Sequence, residues 1–554
     1  MGRDVTSQDA PAALRCLTWL LVGLTLVGAG YAAWSQGATY DEYFHLKWSE
    51  RLLVRGETER LSNERWDSKT PVMIPGVLAE RLARLWGVQS GRAARFASRL
   101  PTIGWLAALL ALTFLFTRRY AGPRAAHLAT LGLALDPSLA AHGSLATVDL
   151  AYAFASVATL AAAFRFVERP RAATGLTLGL ALGLAFVAKF SAFVLLPGLA
   201  LVVVCRPAER AGTRRAHARG LALAALSAWL VLCAAYFFRE VGVPFGDQRW
   251  RSPALQTLAA ALPGVPSPLP LAFLTGIDLS LAHERAKAFP VYLLGRPWPE
   301  GVWFYFLVLW AIKTPLLALA AQVLGLARVA RAGLLRSHPA LLFLALNFVW
   351  QLAYFSLLFR AQIGYRFALM CVPLAWILAG AGLATLPPIR TLRLAGAAAL
   401  LVALVENALY WGNPLSFSSA AFWPKRSVFR LMADSNLDWG QNRDKIGRWL
   451  QANGIAEERL DPAEALPGTN VLSVNVLTGV KGGFQRHRWL REHVEPRRHL
   501  GHTYVWFELD DALYECYRKR SLECPEAAAT RSAARPADPR GWHAAPGGSW
   551  PAAP

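Results

Sequence analysis

The chain is short of charge. Only 17% of its 554 residues are Asp, Glu, Lys or Arg, against 55% hydrophobic residues. That balance excludes an ordinary soluble protein and fits a polytopic membrane protein carrying some water-facing mass. Acids are scarcer than bases, 36 against 58, for a formal net charge of +22. The excess does not indicate a nucleic-acid partner, because it is mostly Arg scattered between apolar runs, where it sets topology and meets anionic lipid or phosphate. Among the six cysteines there is no CxxC pair and no Cys/His spacing suited to zinc, so neither a redox motif nor a structural metal is indicated. Cys16, Cys205, Cys233 and Cys371 read as small packing residues. Cys516 and Cys524 sit close together in a polar segment and could pair if that segment lies outside the cell. No internal repeat supports a transporter built from duplicated halves.

What is there is a series of apolar runs. Residues 14–34 form the first span, a signal anchor with a cytoplasmic N-terminus, flanked by Arg15 on one side and by Tyr31 and Trp34 on the other. Further spans read at about 100–117, 125–141, 145–166, 174–188, 190–205, 220–238, 302–328, 339–358, 366–386 and 393–411, for eleven in all. The predicted fold is therefore a polytopic α-helical membrane protein. Residues 1–411 form its transmembrane module, with a first external loop at 36–98 and a second at 239–301 that holds a helix near 278–288. From 412 to 525 the pattern alternates helix-like (438–451) and strand-like (470–476, 503–509) segments, as in a small external α/β domain. The Ala/Pro/Gly-rich end, 526–554, reads as a disordered tail.

Counting arginines orients the spans. TRRYAGPR, VERPRAAT, RPAERAGTRRAHAR, ARVARAGLLR and PPIRTLR fall inside, whereas the outer turn 141–144 has no Arg. The exceptions are informative: Lys189 at an outer turn, Arg239 at the outer end of a span, and Arg360 with Arg366 in the outer turn RAQIGYR. Lys189, Arg360 and Arg366 share a level at which they could clamp a phosphate, the alternative being snorkelling to lipid headgroups. Lys313 lies about ten residues into a span, hence roughly 15 Å deep. It must face a cavity or a buried acid.

The first external loop opens with TYDEYFHLKWSERLL, in which Asp41 and Glu42 follow directly on the first span. As a helix, this stretch places Asp41, His45, Trp48 and Leu52 on one stripe, with an acid at its leading end. Paired carboxylates beside a membrane cavity could act as a general base or hold a metal; a solvated loop acid is the plainer alternative. His45 reads as a packing or interface residue. Asp149 stands just inside the outer end of its span, where it could join Asp41 or orient a cation. His142 has no second ligand at metal spacing, and Glu406 is an acid near an outer end with no nameable partner.

Taken in order, DEYFHL, SKTPVMIPGVLAE, ASRLPT, LAHGSLATVDLAYAF, GLAFVAKFSAFVLLPGL, LWAIKTPLLAL, IGYRFALMCVPL and ADSNLDWGQNRDKIGRWL resemble the GT-C class of integral-membrane glycosyltransferases. The likeness is to bacterial relatives of the dolichyl-phosphate-mannose protein mannosyltransferases (glycosyltransferase family 39-like). It implies a multi-pass enzyme of the bacterial inner membrane, with its C-terminal domain periplasmic or extracellular. Such an enzyme transfers a sugar from a polyprenyl-phosphate donor to a glycan, lipid or protein acceptor, with inversion. Asp41 matches the family's catalytic acid, with Glu42 its neighbour, Arg99 the Arg ending the first loop, and Lys189 the cation of the Lys-aromatic turn. On this reading Lys189, Arg360, Arg366, Arg99 and Lys313 bind donor phosphate, and Asp149 and His142 line the substrate pocket. No cofactor is required, and a divalent cation (Mg or Mn) is allowed for but not favoured, since a metal would want further ligands. The chain departs from the family at Thr70-Pro71, where relatives show consecutive prolines, and it lacks an obvious carbohydrate-binding domain. Two other readings stay open: a flippase or transporter of a lipid-linked saccharide, and a non-catalytic scaffold for envelope assembly.

Overall fold

The computed structural model describes residues 9–56, 68–205, 214–286, 289 and 291–519. It forms two compact units, the first running to residue 290 and over Pro299–Ala421, the second comprising Val291–Trp298 and the chain from Phe422.

The first unit is helical. In chain order its helices are α1 (Ala12–Ser35), α2 (Tyr40–Glu50), α3 (Ile74–Leu85), α4 (Gly91–Ala121), α5 (Pro123–Ala134), α6 (Pro137–Gly143), α7 (Val148–Glu168), α8 (Ala172–Ala188), α9 (Leu195–Ala200), α10 (Arg214–Ala235), α11 (Pro253–Ala261), α12 (Leu271–Arg285), α13 (Tyr305–Lys313), α14 (Leu316–Arg331), α15 (Leu334–Ser337), α16 (Pro339–Ala353), α17 (Cys371–Ala384) and α18 (Arg390–Ala408). Among the described residues six helical stretches are long and apolar enough to cross a membrane: α1, α4, α7, α10, Pro339–Leu358 and α18. Ala172–Ala188, Phe190–Val203 and Cys371–Ala384 are shorter apolar helices. Helix α7 is mostly enclosed by the others and α18 mostly bare, so the core of the unit runs along α7.

Two expected continuous spans are broken, each by a proline that removes a backbone donor. The run 302–328 splits at Thr314-Pro315 into α13 and α14. The orphan N–H of Leu316 is taken by Glu406 Oε2 at 2.9 Å, and the N–H of Ala420 also donates to Glu406. The acid without a nameable partner thus caps a broken helix. The run 125–141 splits at Asp136-Pro137, where Asp136 accepts from the N–H groups of Ser138 (2.9 Å) and Leu139 (3.3 Å) as the N-cap of α6. The external helix expected near 278–288 is α12, which starts seven residues earlier, directly after Pro270.

Small residues set the helix crossings. Gly175, Gly179 and Gly183 of α8 recur every four residues, and a Cβ at any of them would meet the backbone of Gly220, Ala224 or Ala228 in α10 within 3 Å. At the α14–α17 crossing, a Cβ on Gly382 would stand 1.9 Å from the carbonyl oxygen of Gly325. Backbones approach this closely only where side chains are absent, the usual basis of helix association in lipid.

The second unit holds a hairpin, β1 (Tyr292–Leu293) with β2 (Arg296–Pro297), and an antiparallel sheet in the order β3-β5-β4, made of β3 (Gly468–Ser473), β4 (Arg498–Leu500) and β5 (Tyr504–Leu509). Its helices are α19 (Arg443–Ala452), α20 (Val474–Leu477), α21 (Arg488–His493) and α22 (Asp511–Lys519). Ile446 and Leu450 of α19 pack on Val471, Leu500 and Tyr504 of the sheet. The helix expected at 438–451 begins only at Arg443 because the preceding residues bond locally. Gln441 accepts from the N–H of Trp439 (2.7 Å) and donates to the carbonyl of Leu437 (2.9 Å), while Asp438 accepts from Gly440 N–H (3.0 Å). Such side-chain bonds to nearby backbone compete with helix. Cys516 is disulfide-bonded, whereas Cys524 and the segment 526–554 lie outside the described residues.

Replacing Gly382 by Val should force α14 and α17 apart and cost about 1–3 kcal/mol. A thermal unfolding scan of the detergent-solubilised protein should show a clearly lower midpoint than for Gly23→Val, whose Cβ would meet nothing within 4 Å.

Candidate active site

The site is built on the start of α2. Thr39 precedes the helix, and its N–H (2.8 Å) and hydroxyl (3.1 Å) both donate to Glu42 Oε2, half of a capping box. Successive helical residues point about 100° apart. Glu42 therefore turns inward while Asp41 does not.

Glu42 meets Arg99 of α4 in a two-pronged, fully buried pair, Nε to Oε1 at 2.7 Å and Nη2 to Oε2 at 2.7 Å. The other Arg99 donors go to the carbonyls of Ala33, Gln36 and Gly37, and the N–H of Ala146 donates to Glu42 Oε1 at 2.7 Å. Burial works to raise the Glu42 pKa, but the charge and hydrogen bonds of Arg99, with the N–H groups of Thr39 and Ala146, outweigh it and hold the carboxyl below its ordinary value. With every guanidinium N–H engaged, Arg99 has no donor left for a phosphate. The pair is a scaffold.

Asp41, by contrast, is one-third exposed, and Arg366 Nη1 donates to its Oδ2 at 2.6 Å. Arg366 comes from the 3₁₀ turn Tyr365–Ala368. The same Nη1 lies 3.9 Å from Asp149 Oδ2. Asp149, in the first turn of α7, is buried, and its Oδ1 accepts from Lys189 Nζ at 2.7 Å. Lys189 sits at the end of α8 in extended backbone, with its ammonium 4.3 Å from the centre of the Phe367 ring. His142 Nδ1 stands 4.0 Å from Asp149 Oδ2. Two carboxylates and two cations thus form one chain of charges, flanked by His142, in which Asp41 is the most accessible member. A carboxylate open to solvent on one side and backed by fixed cations can take a proton next to a bound anion.

Other predicted residues lie elsewhere in the unit. Arg360 donates its backbone N–H to Glu284 (3.0 Å) and its guanidinium to the carbonyl of Glu300 (3.1 Å). Lys313 donates to the carbonyls of Leu415 (2.7 Å) and Phe417 (3.0 Å), pinning the segment that leaves α18. Sequence reasoning overlooked Lys69 and read His45 as a packing or interface residue. His45, one turn beyond Asp41, faces the charges of Asp41, Asp149, Arg366 and Lys189. Lys69 is buried at a positive φ of 56°, with its carbonyl accepting from Tyr236 Oη at 2.7 Å. Burial, with Arg251 and Arg51 nearby and only Glu240 opposing, pushes its ammonium down to about 8. A lysine next to the Thr-Pro of the first loop was the available signal. Among the described residues no three His, Cys, Asp or Glu side chains are grouped to hold a metal ion.

Residues 71–234 match the family model of dolichyl-phosphate-mannose-protein mannosyltransferases. Over that stretch the chain is similar to the family its motifs resemble. The stretch contains Arg99, His142, Asp149 and Lys189, while Asp41 and Arg366 lie outside it. No curated protein matches the chain. Among solved structures it is similar to ArnT from Cupriavidus metallidurans in the apo state, at 15% identity and a TM-score of 0.49 over 90% of this chain and 98% of that one. The same protein bound to undecaprenyl phosphate gives 16% and 0.46 over 89% and 98%. The archaeal oligosaccharyltransferase AglB from Archaeoglobus fulgidus gives 14% and 0.47 over 74% of this chain and 57% of its own.

Removing one partner of a buried ion pair typically costs about 3–5 kcal/mol. Glu42→Gln and Arg99→Met should therefore sharply reduce the yield of monodisperse protein on size exclusion, whereas Asp41→Asn should not. Because the Glu42 pKa is depressed in the fold, its stabilisation is complete above the ordinary value of 4.5 and is lost as pH falls through the depressed one. The gap in thermal midpoint between wild type and Glu42→Gln should accordingly narrow as the pH is lowered below about 4.5.

Proposed function

We propose that this protein is a glycosyltransferase that moves a sugar from a polyprenyl-phosphate donor to an acceptor hydroxyl of the cell envelope. The observation that carries the reading is the accessible carboxylate of Asp41 set against Arg366, with the buried Asp149–Lys189 pair behind it. The match over 71–234 to the dolichyl-phosphate-mannose-protein mannosyltransferases supports glycosyl transfer from a lipid-phosphate-linked sugar.

In the mechanism, Asp41 accepts the proton of the acceptor hydroxyl as that oxygen attacks the anomeric carbon. The bond from this carbon to the phosphate oxygen breaks, and the electron pair leaves with the polyprenyl phosphate. Attack opposite the leaving group inverts the configuration. Negative charge grows on the phosphate as the sugar becomes oxocarbenium-like, so the cations beside the site, Arg366 and Lys189, stabilise the transition state more than the bound donor. Asp149 opposes the effect of burial on Lys189, favouring its charged form, and holds the ammonium in place. Arg366, which spans both carboxylates, is the group able to link donor phosphate to the base. On this reading the site opens at the outer face of a bacterial inner membrane, the N-terminus is cytoplasmic, and the second unit lies in the periplasm or outside the cell. The acceptor is a glycan, lipid or protein.

Asp41→Asn should lower transfer of radiolabelled sugar from a polyprenyl-phosphate donor by roughly 10²–10⁴-fold, the usual contribution of a positioned base. Purified protein in nanodiscs supplied with envelope extract as acceptor provides the assay. If wild-type protein only moves lipid between leaflets, with no sugar transferred, the enzyme reading fails in favour of a flippase.

A further inference from the structure

His45 is a polar group beside the site that the mechanism above does not use. Its ring is held from one side: Nδ1 is hydrogen-bonded to the hydroxyl of Ser68, which is in turn 2.7 Å from the hydroxyl of Thr70. Thr70 is itself tied by its carbonyl to Ser49 of α2. The imidazole is therefore fixed against the first loop at two removes, and its rotation is not free. The opposite nitrogen, Nε2, is buried and has no hydrogen-bond partner. A buried nitrogen without a partner costs about 1–3 kcal/mol, and evolution rarely leaves one beside a cluster of charges unless something fills the place.

Its surroundings say what that something touches. The charges acting on His45 are those of Asp41, Asp149, Arg366 and Lys189, every charged member of the proposed site. Burial and the two cations outweigh the two carboxylates, so the ring stays neutral and offers one N–H and one lone pair. Phosphate is better matched by the two cations than by a neutral nitrogen. It is a partner for a hydroxyl, which can both donate and accept. One turn of helix, about 6 Å, separates it from Asp41, and the transferred sugar is bonded directly to the phosphate that Arg366 and Lys189 would hold.

We propose that His45 Nε2 hydrogen-bonds a hydroxyl of the transferred sugar and so helps determine which sugar the enzyme accepts. The inference rests on the reading of the site as one for a lipid-phosphate sugar.

The test separates the two nitrogens. An Asn side chain reaches the place of Nδ1 and a Gln side chain that of Nε2, so His45→Asn keeps the Ser68 bond and loses the sugar contact, while His45→Gln does the reverse. Wild type and both variants in nanodiscs are titrated with bare polyprenyl phosphate and with a panel of polyprenyl-phosphate hexoses and pentoses. The expected result is that wild type binds at least one sugar-bearing lipid about tenfold or more tighter than the bare phosphate, a difference of roughly 1.4 kcal/mol. His45→Asn should abolish that preference without changing affinity for bare phosphate, and His45→Gln should retain most of it. The proposal is overturned if His45→Asn keeps the preference, if both variants lose affinity for sugar-bearing and bare lipid alike, as a purely structural role would require, or if wild type shows no preference for any sugar. Failure of wild type to bind bare polyprenyl phosphate would overturn the donor reading itself.

Discussion

Everything near the site depends on the buried pair of Glu42 and Arg99. One guanidinium closes on the carboxylate and on three carbonyls at the end of α1, while the carboxylate also receives N–H groups from Thr39 and from Ala146, two residues before α7. The ends of α1, α2 and α7 and the third turn of α4 are thereby tied at a single point. Two charges removed from water are tolerable only when every donor and acceptor finds a partner. Here the partners belong to different elements, so satisfying the charges also sets the geometry.

The neighbouring acid gains its character from that arrangement. With Glu42 directed inward, the next position on the helix must face elsewhere, and Asp41 meets Arg366 at the mouth of the cluster. Asp149 and Lys189 pair behind it, on the first turn of the enclosed helix α7 and just past the end of α8. Asp149 Oδ2 makes no hydrogen bond and stands 3.9 Å from the same arginine nitrogen that binds Asp41. Arg366 thus has a second acceptor within a short displacement, so binding of an anion near it need not leave either carboxylate isolated.

Ordinary membrane-protein constraints hold this site in place. Proline breaks at 137 and 315 leave free backbone donors, which buried acids then cap. Lys313, the last residue of α13, donates to two carbonyls of the chain that follows α18. Glycines at four-residue spacing let α8 and α10 meet backbone to backbone, which places Lys189 at the end of a tightly held helix.

The apolar runs, the Arg-rich turns, the acid pair after the first span and the order of short motifs are local properties, and they were legible by themselves. Hydrophobic length and the polarity of a turn need no partner to be read, which is why the helical membrane architecture and the place of Asp41, Asp149 and Lys189 at one end of the spans could be seen in advance. Which member of a set does what is a matter of pairing across distant parts of the chain. Arg99 and Arg366 are both arginines at the ends of apolar runs; only the fold brings one to Glu42, 57 residues away, and the other to Asp41, 325 residues away. Asp41 and Glu42 are adjacent and chemically alike, yet the turn of the helix buries one and opens the other. The sequence by itself determined that acids and cations would meet at a membrane edge. The tertiary structure decided which of them are locked together and which stay accessible, because a charge's role depends on whether its hydrogen-bonding capacity has already been used.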